Sequence, residues 1–177
     1  DRCESVMLNH FPAAQTPDLK GLHYLTASNQ PQLDASEQHE YTNKGRQIIY
    51  SPWEVHRCCQ HNVAMGWPWY VENLWQATGD NGILAWLYAP SKVTARVGSE
   101  GKTVTIGTDT LYPFNGNVNL KIECAEPVKF PLYLRVPDWC KNYKLYINGQ
   151  QIKVCAEPGY YICIEHTFAN GDRVEFN

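Results

Sequence analysis

Two patterns of apolar and polar positions follow one another along this chain, and the change falls near Gly79 to Gly82. Ahead of it the text reads as helix and loop. "DRCESVMLNHFPAA" sets Val6, Leu8 and Phe11 as the apolar side of an amphipathic helix that runs to about Ala14. An irregular stretch follows, and the apolar segment "RQIIYSPWEV" leads to a second helix over approximately Gln60 to Ala77. Asn62, Met65, Trp69, Glu72 and Gln76 recur there at helical spacing and share a face. Pro68 lacks a backbone donor and should bend that helix or mark an early turn.

Beyond Gly82 the pattern changes to short alternating runs between turn residues. "KVTARVG", "KTVTIGTDTLYP", "NVNLKIECAEP", "FPLYLRVP" and "GYYICIEHTF" are typical of about eight predicted strands. That rhythm, with Asn-Gly at 115–116, 148–149 and 170–171, predicts an antiparallel β-sandwich. "YINGQQI" predicts a tight hairpin in which Asn148 and Gly149 supply the positive φ such turns need. The chain thus divides into residues 1–81, part of a helical domain, and residues 82–177, a β-sandwich. It opens in what reads as mid-helix and stops in what reads as mid-strand, so the expectation is an internal fragment of a longer protein.

Composition narrows the function classes. Of 177 residues, 44% are hydrophobic and 19% charged, which describes a globular chain with a real core. Net charge is −3 and the cations are scattered, so there is no footprint for nucleic acid. No apolar run reaches the length of a membrane span. Six Trp and eleven Tyr suit either a large core or a surface that stacks on sugar rings, and composition favours the core.

Seven cysteines are present, at spacings that outline no disulfide framework. Cys124, Cys155 and Cys163 sit in strand-like text and are expected to be small buried hydrophobes. Cys58 and Cys59 are adjacent, which distorts the geometry a disulfide prefers. They suit two thiolates on one metal, a nucleophile with a helper, or two buried free thiols. A bound Zn²⁺ would keep such thiols ionised, although zinc wants four ligands and the pair supplies two. His56 and His61 flank the pair and either could add a ligand or serve as an ordinary surface histidine. Glu4, Glu54 and Glu72 are candidate carboxylates, more readily explained as solvated or salt-bridged. Trp67, Trp69, Tyr70 and Trp75 are more readily packing residues than a sugar platform.

Four stretches carry a family resemblance. "DRCESVMLNHFPAAQTPDLKGLHYLTASNQ" has Asp-x-x-Glu followed by Asn-x-x-Pro-Ala, and Cys58, Cys59 and Asn62 form Cys-Cys-x-x-Asn. "PLYLRVPDWCKNYKLYINGQ" and "GYYICIEHTFANGDRVEFN" complete it. Together these resemble the β-L-arabinofuranosidase-like glycoside hydrolases of family 127. The resemblance implies that residues 1–81 are the C-terminal portion of an (α/α)6 barrel carrying the active site. It implies a zinc ion held by a Glu and three cysteines, with a separate Glu as general acid and base. Carried over, Cys58 is nucleophile and zinc ligand, and Cys59 is a second zinc ligand. His56, His61, Asn62 and Trp69 become candidate substrate-binding residues. The remaining zinc ligands and the acid/base Glu fall upstream of residue 1, and Cys3 and Glu4 sit too late to take their place.

The function so implied is a retaining glycosidase acting on plant-type glycans, with β-L-arabinofuranosides as leading substrate and a lean towards a periplasmic or extracellular setting. Two alternatives stand beside it. One is a non-catalytic carbohydrate-binding β-sandwich module with Trp86, Tyr112, Tyr133, Trp139, Tyr160 and Tyr161 as platform. The other is a zinc site that serves only structure.

Overall fold

A computed structural model describes residues 1–18, 21–23, 49–50 and 58–177, which fall in two compact units, Asp1–Val71 and Glu72–Asn177. In the first unit, α1 (Arg2–Ser5), a π-helical turn (Val6–His10) and α2 (Phe11–Ala13) follow without a break. The wider turn ends at His10, and Pro12, which has no N–H to donate, sits in the first turn of α2 where none is needed. Strands β1 (Leu22–His23) and β2 (Ile49–Tyr50) pair antiparallel. Helix α3 (Cys58–Glu72) contains Pro68. Gly66 lies against the Phe11 ring with no room for a Cβ, and Trp67 packs edge-on to Phe11 at 6.0 Å and to buried Tyr70 at 6.2 Å.

Helix α3 is shorter than its spacing predicts. Trp75–Ala77 forms β3 instead, paired with β4 (Ile83–Ala85). Leu74 explains the switch: it is buried, and its carbonyl accepts from the N–H groups of both Trp86 and Leu87. Pairing with the sheet outweighs a helical periodicity that Gln76 continued by chance.

The rest of the second unit is β5 (Ser91–Val97), β6 (Lys102–Thr110), β7 (Val118–Cys124), β8 (Val128–Arg135), β9 (Leu145–Ile147), β10 (Gln150–Ile152), β11 (Tyr161–Phe168) and β12 (Arg173–Phe176). One sheet has six strands in the order β10-β9-β12-β7-β6-β5, all antiparallel. The other has four, β11-β8-β4-β3, and its β4–β8 pair is parallel, so the unit is not purely antiparallel. Each sheet has one buried face, shown by strict alternation: Val118, Leu120 and Ile122 are buried on β7 between exposed Asn119 and Lys121. Phe130, Leu132 and Leu134 on β8 and Ile162, Ile164 and Phe168 on β11 do the same for the smaller sheet. Each such side chain contributes roughly 1.5–3 kcal/mol on burial.

Local chemistry sets the turns. Asn148 and Gly149 have φ of 52° and 78°, and the β9–β10 hairpin closes on them as expected. Asn148 also donates through Nδ2 to Asp172 at 2.9 Å and accepts from the Arg173 N–H at 2.9 Å, tying the hairpin to β12. Buried Arg135 donates through Nε to the Trp86 carbonyl at 2.6 Å and lies over the Tyr88 ring.

All seven cysteines are free. Cys155 and Cys163 are exposed, contrary to expectation, and Cys124 is half-buried. Cys163 takes the outward position between buried Ile162 and Ile164, so the strand's period of two overrides the preference of the residue type.

Candidate functional site

Cys58 and Cys59 are the first two residues of α3. Consecutive helical side chains diverge by about 100°, so the two thiols meet different surroundings. Cys58 is exposed, Cys59 is half-buried, and their sulfurs stand 3.8 Å apart. Burial pushes the Cys59 thiol up from its ordinary value, and the hydrogen bond with Cys58 and the charge of Cys58 push the same way. A disulfide would need about 2.05 Å between the sulfurs. Two sulfurs each about 2.3 Å from one tetrahedral zinc stand about 3.8 Å apart, so the pair suits two corners of such a site. Among the described residues, no group of three or more His, Cys, Asp and Glu is close enough to hold a metal.

The face that starts at Cys58 continues along the helix. Asn62, one turn on, donates through Nδ2 to the Cys58 carbonyl at 2.8 Å. Met65, Trp69 and Glu72 follow at helical spacing and all are exposed, Trp69 with half its surface open. Cys58 and Trp69 are separated by about 16 Å along the axis, room for an extended ligand rather than one ring. His61 is exposed one turn from Cys58. His56 and Glu54 lie outside the described residues. Glu4 is buried beside half-buried Cys3 on α1.

The six aromatics considered as a platform do not form one open surface. Tyr112 is buried and stacks against Trp139 at 6.2 Å, while Trp86 and Tyr133 are half-buried. Trp139, Tyr160 and Tyr161 are exposed. A cavity of about 630 Å³ on the six-stranded sheet, lined mostly by polar residues of β5, β6, β7 and β12 together with Gly107 and Leu120, has little signature in the sequence. Its one legible signal is Gly107 inside an otherwise regular strand.

The fold is that of solved glycoside hydrolases. A structure described only as a glycoside hydrolase superposes over 98% of this chain with a TM-score of 0.75 at 22% identity. A GH127 beta-L-arabinofuranosidase from Geobacillus stearothermophilus T6 matches over 98% with a TM-score of 0.74 at 22% identity. A GH127 beta-arabinofuranosidase matches over 98% with a TM-score of 0.72 at 23% identity. The chain spans 26–27% of the length of these proteins. No curated protein matches the sequence. Residues 82–177 match the family model described as beta-L-arabinofuranosidase, GH127 middle domain. The chain belongs to glycoside hydrolase family 127. No helix among the described residues is long and apolar enough to cross a membrane.

Proposed function

We propose that this chain is part of a retaining glycoside hydrolase of β-L-arabinofuranosidase type, acting on plant-type glycans with Cys58 as nucleophile. The observation that carries this is the sulfur pair: exposed Cys58 and half-buried Cys59, 3.8 Å apart on the first turn of a helix, in a chain of this family. The helical unit is read as part of an (α/α)6 barrel and the two sheets as the layers of a β-sandwich, which their one-sided burial supports.

Cys58 and Cys59 would hold a zinc ion together with ligands from outside the described residues. Such an ion would keep both thiols ionised at neutral pH and offset the repulsion between them. The Cys58 sulfur then adds to the anomeric carbon as the bond to the leaving oxygen breaks, and a carboxylic acid from elsewhere in the whole protein gives that oxygen a proton. Water, losing a proton to the same carboxylate, displaces the sulfur at that carbon and restores the thiolate. Two displacements at one carbon retain its configuration. Cys59, the more buried of the two, serves the ion and not the sugar. Asn62 braces the Cys58 backbone, and the Trp69 face accepts the remainder of the glycan, with His61 beside the reacting end.

The test is Cys58→Ser in the full-length parent, assayed on an aryl arabinofuranoside with metal content measured alongside. Turnover is expected to fall by at least about 10³-fold while circular dichroism is unchanged. Near-normal turnover would remove Cys58 from the chemistry.

A further inference from the structure

The cavity on the six-stranded sheet is built by register. Lys92 on β5 stands opposite Gly107 on β6, Gly107 opposite Lys121 on β7, and Lys121 opposite Arg173 on β12. One step along, Asp109 stands opposite Asn119 and Asn119 opposite Glu175. These residues occupy the outward positions of their strands, and all of them line the cavity. A Cβ on Gly107 would meet nothing within 4 Å. The floor therefore drops to the backbone at the centre of the row, between two lysine side chains. The walls stand about 14 Å apart across the three strand spacings from β5 to β12.

The charges decide what such a trough accepts. Lys92 is paired with Glu123 at 3.0 Å, and Lys121 lies 3.8 Å from the same carboxylate. Arg173, Asp109 and Glu175 enter no ion pair among the described residues, so their polar ends remain available. The lining carries three cations (Lys92, Lys121, Arg173) and two carboxylates (Asp109, Glu175), and Glu123, outside the lining, pairs with Lys92 and balances the count. A balanced lining gives no long-range pull on a polyanion. It does alternate strong donors with strong acceptors at close range. A hydroxyl is donor and acceptor at once, and neighbouring hydroxyls on one ring need both partners side by side. The volume of about 630 Å³ lies within the range of roughly 300–1,000 Å³ usual for small-ligand sites.

We propose that this trough is an accessory binding site for a neutral oligosaccharide, separate from the cysteine pair. Arg173, Lys121 and Asn119 donate to ring hydroxyls while Asp109 and Glu175 accept from them, and Gly107 leaves the floor open for the ring. The choice of glycan rests on the reading of the parent as a glycoside hydrolase, and the site would hold the chain being degraded close to the enzyme.

The experiment is an NMR titration of the full 177-residue chain with a neutral arabino-oligosaccharide, with inorganic phosphate as a second ligand. Shifts are expected on β5, β6, β7 and β12 with the sugar and not with phosphate. Asp109→Ala and Arg173→Ala should each weaken binding about tenfold or more. Gly107→Val should block it while the thermal midpoint holds or rises, because a β-branched side chain suits a strand with open space above it. Absence of sugar-induced shifts at tens of millimolar, affinity unchanged in all three variants, or phosphate binding in place of sugar would each overturn the proposal. Cys58→Ser should leave this binding intact. Loss of hydrolysis in that variant bears on the catalytic reading alone, and sugar bound by an inactive parent would sink the catalytic reading and leave this one standing.

Discussion

Thr108 lies on the same side of β6 as buried Ile106 and Thr110, and its hydroxyl is buried without a hydrogen-bond partner in the structure. An unsatisfied buried hydroxyl costs about 1–3 kcal/mol, so an isosteric apolar replacement should recover part of that. Thr108→Val is expected to stabilise the chain by about 1 kcal/mol and raise its thermal midpoint by about 2–4 °C. A midpoint that falls would mean the hydroxyl is bonded in solution. At this scale the sequence was legible wherever chemistry was unusual. Cys58 next to Cys59 is legible because adjacency is rare, and Asn148-Gly149 because positive φ restricts the residue types. Cys155 and Cys163 were misjudged, since residue type gives a burial preference but strand parity decides which side is inward.

The β3–β4 turn shows the same logic in an element. Asp80 accepts from Thr78 Oγ1 at 2.5 Å and from Tyr133 Oη at 2.6 Å, joining the turn to β8. Gly82 closes against the Pro131 carbonyl, where a side chain would not fit, and so lets β4 run alongside β8. The hydrogen bond from Thr78, then that from Tyr133, holds the Asp80 carboxyl below its ordinary value. A carboxyl whose folded value is depressed contributes stability above its unfolded value of about 4, and that contribution is lost as pH falls through the folded value. Asp80→Asn should therefore flatten the decline of stability between about pH 5 and 3, read from urea unfolding at each pH. A slope equal to that of the unaltered chain would show that the carboxylate's bonds are not maintained in solution. The alternating strands were legible in the sequence, yet the parallel pairing of β4 with β8 was not, because alternation records which side is buried and not which neighbour is paired. Trp75–Ala77 was hidden for a related reason: three residues are too few to show a period of two, and Gln76 fell on the helical one. The trough was illegible because Lys92, Lys121, Arg173, Asp109 and Glu175 look in sequence like any solvated sheet face, and only register brings them together.

At the scale of the whole molecule, the chain falls into two compact units. The first presents the thiol pair on a helix, and the second a six-stranded sheet whose outward positions are mostly polar. Family membership is shown by residues 82–177, whereas the residues proposed to do chemistry lie in the helical unit, so the central claim needs a measurement of its own. Intact-protein and peptide mass spectrometry of the full-length parent, quenched during turnover of an activated arabinofuranoside, examines it most directly. The account predicts one pentosyl group bound to the Cys58 sulfur, absent from Cys58→Ser. A pentosyl group found on a carboxylate, with Cys58 unmodified throughout turnover, would contradict it.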